Sequence, residues 1–350
     1  MKTIISRGLT LVSIMAACIA CGNTGRTLTS ATGSIYECLV VINEEPLTQE
    51  QLNTVAKLSL VNEASGYTEP VITTYDLVEA IMSADMPCMP QVEPYFRLTQ
   101  VSTAQFDDMF KPTRNILFVD INPQKYTQLK TKVSNDYWST PQAICRIQTP
   151  SQEEFVTYWL EHGEEIRDWF VNQEIKRQVK FYRASTNKEA RAILQQQGYD
   201  MLIPEDYIVI MDTVLGGATT FSLRNPITVA PEVLLLWCCN NKGTMRRDLV
   251  VYTYPYSDEN TFTLNYLNAK RDAILSRVVS ASVEGSYMGT EYKVFPPQMR
   301  AITVQEDEYA TEVRGLWKIL DGEAMGGPYV SHTRLDQING RIVAAETFIY

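Results

Sequence analysis

Histidine occurs only at His162 and His332, and neither sits in a His-x-x-x-His or paired Cys-x-x-Cys spacing that would hold zinc. The run YVSHTRLD brings Ser331, His332 and Asp336 close together. On a strand, however, Ser331 and His332 point to opposite faces, so they cannot pair as nucleophile and base. Alternation instead groups His332 with Val330 and Arg334, and Ser331 with Tyr329 and Thr333. RGLWKI carries Arg314 and Trp317, residue types enriched in binding hot spots. With Arg300, His332 and Arg334 they could form an anion-reading face; the other reading is a core tryptophan with solvated arginines. In GEAMGGPYV, Gly326 and Gly327 permit positive φ or close backbone approach, either as a turn between strands or as a cradle for an anion. No Gly-Lys-Ser and no helix follow, which excludes a phosphate loop. The candidate binding face is thus Arg314, Trp317, Gly326, Gly327, Tyr329, His332 and Arg334. No catalytic residue, metal ligand or cofactor is assigned. Carboxylate acid–base chemistry stays open as the alternative, because the chain holds 41 Asp and Glu.

Cys18 and Cys21 form a Cys-x-x-Cys at the end of an apolar run. Lys2 and Arg7 make a basic start, and the run from Leu9 to Ala20 has signal-peptide length, too short to span a bilayer. Ala16, Ala17 and Ala20 are the small residues a signal peptidase needs. The stretch resembles a bacterial lipobox cut before Cys21, with Cys18 as the rival site, so the expected membrane attachment is an acyl (palmitate) anchor. GNTGRTLTSATGS then reads as a tether. The formal charge of −10 and the lack of a basic stripe argue against nucleic acid as a partner. Cys38, Cys88, Cys145, Cys238 and Cys239 are expected to be mostly free thiols, four of them in apolar strand-like runs.

The expected organisation is a lipoprotein signal peptide (1–20), a tether (21–33), an N-terminal α+β domain (34–148), a helical connector (149–198) and a C-terminal α+β domain (199–350). YECLVVIN, EPYFRLTQVS, NILFVDI and QAICRIQ read as strands, 47–60 and 73–85 as helices, and STAQFDDMF as a short helix. The long helix that follows is expected to start with Thr149 as N-cap and Pro150 at its first position. Its apolar stripe is read as Phe155, Trp159, His162, Ile166, Trp169 and Gln173. A second helix ends at Gly198. Beyond it come YIVIMD, VLLLWCC, DLVVYTYPY, EYKVFPP, RAITVQ, EVRGLWKI, PYVSHTRLD and GRIVAAETFIY as strands, with one helix over 257–279. Asn339-Gly340 is a hairpin signal between the last two strands.

SATGSIYECLVVI, RNILFVDINP, LVVYTYPYSDENTFTLNYLNAKRDAI, EGSYMGT, RGLWK and GEAMGGPYVSHTRLDQINGRIV together resemble an uncharacterised Bacteroidota lipoprotein family, domain of unknown function 4837. The resemblance implies an envelope lipoprotein and carries no activity or functional residue with it. The chain departs from that family in a longer link over 44–85 and in stopping at Tyr350, where members continue into a further helix. From Tyr199 onward the element order looks similar to the Mog1/PsbP sandwich, whose members are non-catalytic accessory proteins. Asp212-Thr213-Val214 resembles a Bacteroidota O-glycosylation pattern, with Thr213 as acceptor. The expected protein is therefore an α+β, non-catalytic lipoprotein of the outer membrane, facing the periplasm, that binds an envelope partner or assists assembly.

Overall fold

The computed structural model describes residues 28–57, 71–212, 235–243, 245–279, 283–303 and 309–349. The N-terminal elements are β1 (Thr29–Ser30), β2 (Glu37–Val41), α1 (Gln49–Lys57), α2 (Thr74–Met82), β3 (Arg97–Val101), β4 (Asn115–Ile121), β5 (Lys130–Asn135), β6 (Ser139–Thr140), β7 (Ala143–Thr149) and α3 (Gln152–Arg183). They are followed by α4 (Lys188–Gln196), β8 (Ile208–Asp212), β9 (Leu235–Asn240), β10 (Arg247–Pro255), α5 (Leu264–Val278), β11 (Tyr287–Glu291), β12 (Gln298–Thr303), β13 (Tyr309–Leu320), β14 (Gly326–Asp336) and β15 (Arg341–Ile349). The chain is α+β.

The first sheet runs β3-β2-β4-β7-β5, parallel except for β5. ECLVV, NILFVDI and AICRIQT are apolar on both sides because both sides of the sheet are covered. Helices α2 and α3 close one side over Cys38, Val40, Leu117 and Cys145. On the other side Phe106, Phe110 and Trp138 cover Leu39, Ile116 and Ile144. The stretch expected as a helix at STAQFDDMF is a series of turns, bent by Ser102, whose carbonyl accepts from Gln105 and Phe106, so that Phe106 and Phe110 reach the sheet.

Helix α2 begins with a capping box, Thr73 Oγ1 accepting from Asp76 N and Asp76 Oδ2 accepting from Thr73 N. In α3 the N-cap is Ser151, not Thr149. Thr149 is still paired in β7 opposite Ile121, so the helix can begin only after Pro150. The buried stripe runs Phe155, Trp159, Gly163, Ile166, Phe170 and Gln173. His162 is turned out to Glu165 at 3.0 Å, and Trp169 is only partly buried. Gly163 takes the stripe position because a Cβ there would lie 2.7 Å from Ile81 Cδ1, where α2 crosses.

The second sheet is antiparallel, ordered β11-β13-β14-β15-β10-β9-β8, with β12 on β13. Helix α5 packs on one face, against Tyr252, Val313, Trp317, Tyr329 and Phe348. Helix α4 packs on the other, against Leu236, Cys238 and Val251. Gly198 at φ 85° follows α4 and Gly340 at φ 60° completes the β14–β15 hairpin. The strand expected at EYKVFPP lies earlier, at Tyr287–Glu291. The Glu291 carboxylate accepts from Lys293 N and Val294 N, which bends the chain away, and Pro296 and Pro297 have no N–H for a ladder. All five cysteines of the described residues are free and buried.

Candidate functional site

Strand alternation divides the seven residues of the expected binding face between two faces of the β13–β14 hairpin. Trp317 and Tyr329 point into the core beneath α5, 2 % and 1 % exposed. Trp317 Nε1 donates to the Ile349 carbonyl at 3.1 Å, and Tyr329 Oη donates to Asn268 Oδ1 at 3.2 Å. The glycine pair is part of β14 itself; the turn lies before it, with Asp321 at φ 55°. A Cβ on Gly326 would stand 2.5 Å from the Trp317 carbonyl oxygen, and one on Gly327 would overlap the Ile349 carbonyl oxygen. The glycines therefore seat Trp317 against the last strand, an internal close approach rather than an anion cradle.

The opposite face carries the charged set, built around Glu312. Its side chain is 5 % exposed. Glu312 Oε1 accepts from Arg300 Nε at 2.7 Å and from Arg314 Nε at 2.8 Å, and Oε2 lies 3.0 Å from His332 Nε2. The register explains the convergence: Glu312 stands directly opposite Arg300 on β12 and opposite His332 on β14. Arg314 is two residues along the same strand, and Arg334 two residues beyond His332, on the same face by alternation. Burial works to raise the Glu312 pKa, but the bonds from His332, Arg314 and Arg300 hold it well below the usual carboxylate range. Arg300 also reaches Asp168 of α3, at 3.8 Å, which joins this face to the helix packed on the first sheet. Near the same seam, Cys88 Sγ lies 3.8 Å from the Pro296 carbonyl. Arg300 and His332 keep about half of their side chains in solvent. One buried anion thus organises two guanidinium groups and an imidazole whose outer edges remain accessible.

Glu312 and Asp168 escaped sequence reasoning, although Arg300, Arg314, His332 and Arg334 did not. The available signal was Glu312 and Arg314 at alternate positions of one strand, hence one face. A second unread pair lies on the α5 side. Arg271 Nη2 donates to Glu346 Oε1 at 2.7 Å, with the guanidinium 3.9 Å from the centre of the Tyr329 ring. Tyr252, Tyr254, Asn268 and Ser331 line a cavity of about 10 Å³ beside it, room for one water molecule. Against the first sheet Glu174, fully buried on α3, accepts from Arg114, Asn115 and Arg177. Burial opposes its ionisation, yet those donors hold its pKa low. Among the described residues no three His, Cys, Asp or Glu side chains group to hold a metal ion, and no helix is long and apolar enough to cross a membrane. Cys18, Cys21 and Thr213 lie outside the described residues.

Residues 185–350, which carry Glu312 with Arg300, Arg314, His332 and Arg334, match a described family. It is a domain of unknown function, DUF4837. Residues 52–183 match a second, the domain of unknown function DUF8532. The two stretches meet where α3 ends at Arg183. Neither description names an activity, and no curated protein matches the chain.

Proposed function

We propose that this chain is an envelope lipoprotein, acylated at Cys21 and held at the periplasmic face of the outer membrane, with a non-catalytic binding or assembly role. The Glu312 face is its recognition surface, through Arg300, Arg314, His332 and Arg334. The observation that carries the reading is the state of Glu312. A carboxylate gripped by two guanidinium groups and the His332 imidazole is held low and stays ionised through the physiological range, so it arranges donors and does not exchange protons. Carboxylate catalysis would need an acid whose pKa is poised near neutrality. The carboxylates held low here are each tied to cations or hydrogen-bond donors, as Glu174, Glu291 and Asp336 are. Glu346 is pushed up by burial, but it is sealed in the core against Arg271. Asp85 is pushed up as well, by burial alone and not by a second carboxylate beside it.

The anchor and the surface are tested separately. Cys21→Ala should abolish palmitate labelling and release the protein from the membrane fraction; loss of labelling on Cys18→Ala instead would move the cut. His332→Ala/Arg334→Ala should fold normally, because Glu312 keeps its two arginine donors, with a cost of about 1 kcal/mol or less. It should also lose cross-linked envelope partners that the unchanged chain captures. A double variant that fails to fold makes these residues structural and ends the recognition reading.

A further inference from the structure

A different face of the molecule, on the first sheet and independent of Glu312, carries cations that no carboxylate among the described residues pairs with. Strand β5 lies antiparallel beside β7, and in that register Lys132 stands directly opposite Arg146, with Lys130 opposite Gln148 one step along. Directly opposed residues share a face, and like charges so placed destabilise a sheet. The chain as a whole carries −10, so an acidic neighbour would be easy to supply. None is supplied. Among the described residues, Lys130, Lys132 and Arg146 make no ion pair, and Arg146 Nη2 is buried without a hydrogen-bond partner. Asp120, opposite Gln148 on the same face, is engaged by Tyr126 Oη at 2.7 Å and Lys125 at 3.6 Å.

Aromatic rings surround the unbalanced guanidinium: Trp138 at 4.9 Å, Tyr137 at 5.2 Å and Phe118 at 5.6 Å from its carbon to the ring centres. They hold it in place by cation–π attraction while leaving Nη2 without a hydrogen-bond partner. Tyr137 is 57 % exposed. Arginine, tryptophan and tyrosine around one point make the composition of an interface hot spot. Strand β5 is also the edge of its sheet, so its outer backbone groups are open to a further strand.

We infer that this face is a docking surface for an extended acidic segment of a partner protein, which adds beside β5 and places a carboxylate between Lys132 and Arg146. The charge complementarity and the open edge select that occupant together. Bound carboxylate turns the opposed cations from a repulsion into a bridge, so the free protein is less stable than its sequence need make it. Stability is given up at a site kept for binding.

That trade supplies the test. Full-length protein is titrated with a fluorescent, alternating Glu-Val peptide at low and high salt, and the melting temperature of each variant is measured. Salt-sensitive binding is expected, weakened about tenfold in Lys130→Ala/Lys132→Ala. Lys132→Glu should lose binding and yet melt roughly 1–4 °C higher, since it converts a like-charge pair into an opposite one. Lys132 and Lys130 are exposed, so neither variant threatens the fold, whereas a change at Arg146 could. Equal binding of an alternating Ser-Val peptide overturns the proposal. So does a Lys132→Glu variant that binds unchanged or melts lower. Capture of phosphatidylglycerol vesicles through these lysines, with no capture of the peptide, overturns it in favour of a lipid headgroup.

Discussion

The ion pair between Arg271 and Glu346 joins α5 to the central strand β15, and removing either partner should be among the most damaging changes to this protein. The side chains are 2 % and 0 % exposed. Nε donates to both carboxylate oxygens, at 3.0 and 2.9 Å, and Nη2 donates to Oε1 at 2.7 Å. Nη1 is shared between Thr290 at 3.1 Å and Asp272 at 3.2 Å. Glu346→Leu leaves a buried guanidinium that cannot lose its proton, with Asp272 as its remaining counter-charge. The expected cost is about 3 kcal/mol, the lower end for a broken buried pair. Arg271→Met leaves Glu346, which can escape by protonating, because burial already pushes its pKa up. That variant should therefore cost less at about pH 5 than at about pH 8. Removing both together, Arg271→Met/Glu346→Leu, takes away the whole desolvation penalty and should cost about 2 kcal/mol or less. Urea unfolding of the four proteins gives the cycle, with a coupling of roughly 3 kcal/mol expected. Single variants costing under about 1 kcal/mol, or a double whose cost is the sum of the singles, would refute the claim that the pair acts as a buried unit.

Gly327→Ala should destabilise by about 3 kcal/mol, because the new methyl displaces β15 from the Trp317 indole; a thermal melt within a degree of the unchanged protein would contradict the close approach. Glu312 is held below its unfolded value near 4.5, so it contributes stability above that pH which is lost as the pH falls through its folded pKa. Glu312→Gln should flatten the acid limb of a stability–pH curve from about pH 4.5 downward, and an unchanged limb would count against the assignment. Folded protein should react slowly at neutral pH with a thiol reagent at Cys38, Cys88, Cys145, Cys238 and Cys239, since all are buried and burial pushes Cys145 and Cys238 up to about 12. All five should react once unfolded, and prompt labelling of the native state would overturn this.

The elements that could be read in advance were those whose pattern is local. NILFVDI is apolar wherever it is placed, and Asn339-Gly340 forms its turn from two residues. Lys130–Asn135 was not recognised as a strand because KTKVSN has no apolar periodicity; it is a strand only because β7 offers its edge. The Thr149 cap failed for a related reason, as a neighbouring strand already held that backbone. The candidate site was half legible. Alternation correctly put His332 with Arg334, yet it also says that Trp317 and Arg314 face apart, which the grouping by composition ignored. Glu312 matters through β12 and β14 together, and Arg271 with Glu346 across a helix and a strand. Such pairings follow from register, and no short window of sequence contains them.

The position of β15 has a kinetic consequence. It lies between β14, its sequence neighbour, and β10, to which it is joined from Arg247↔Ile349 through to Pro255↔Arg341. Strands β8, β9 and β10 can zip up early, as can the hairpin of β13 and β14, but the two halves stay separate until that distant segment arrives. Closing so long a loop is entropically costly and slow. During the wait, β10 presents a bare edge of Leu249, Val250, Val251 and Tyr252 to the solution. A chain released unfolded would depend on chaperones through that interval, and its yield should be set by how long the edge stays uncovered.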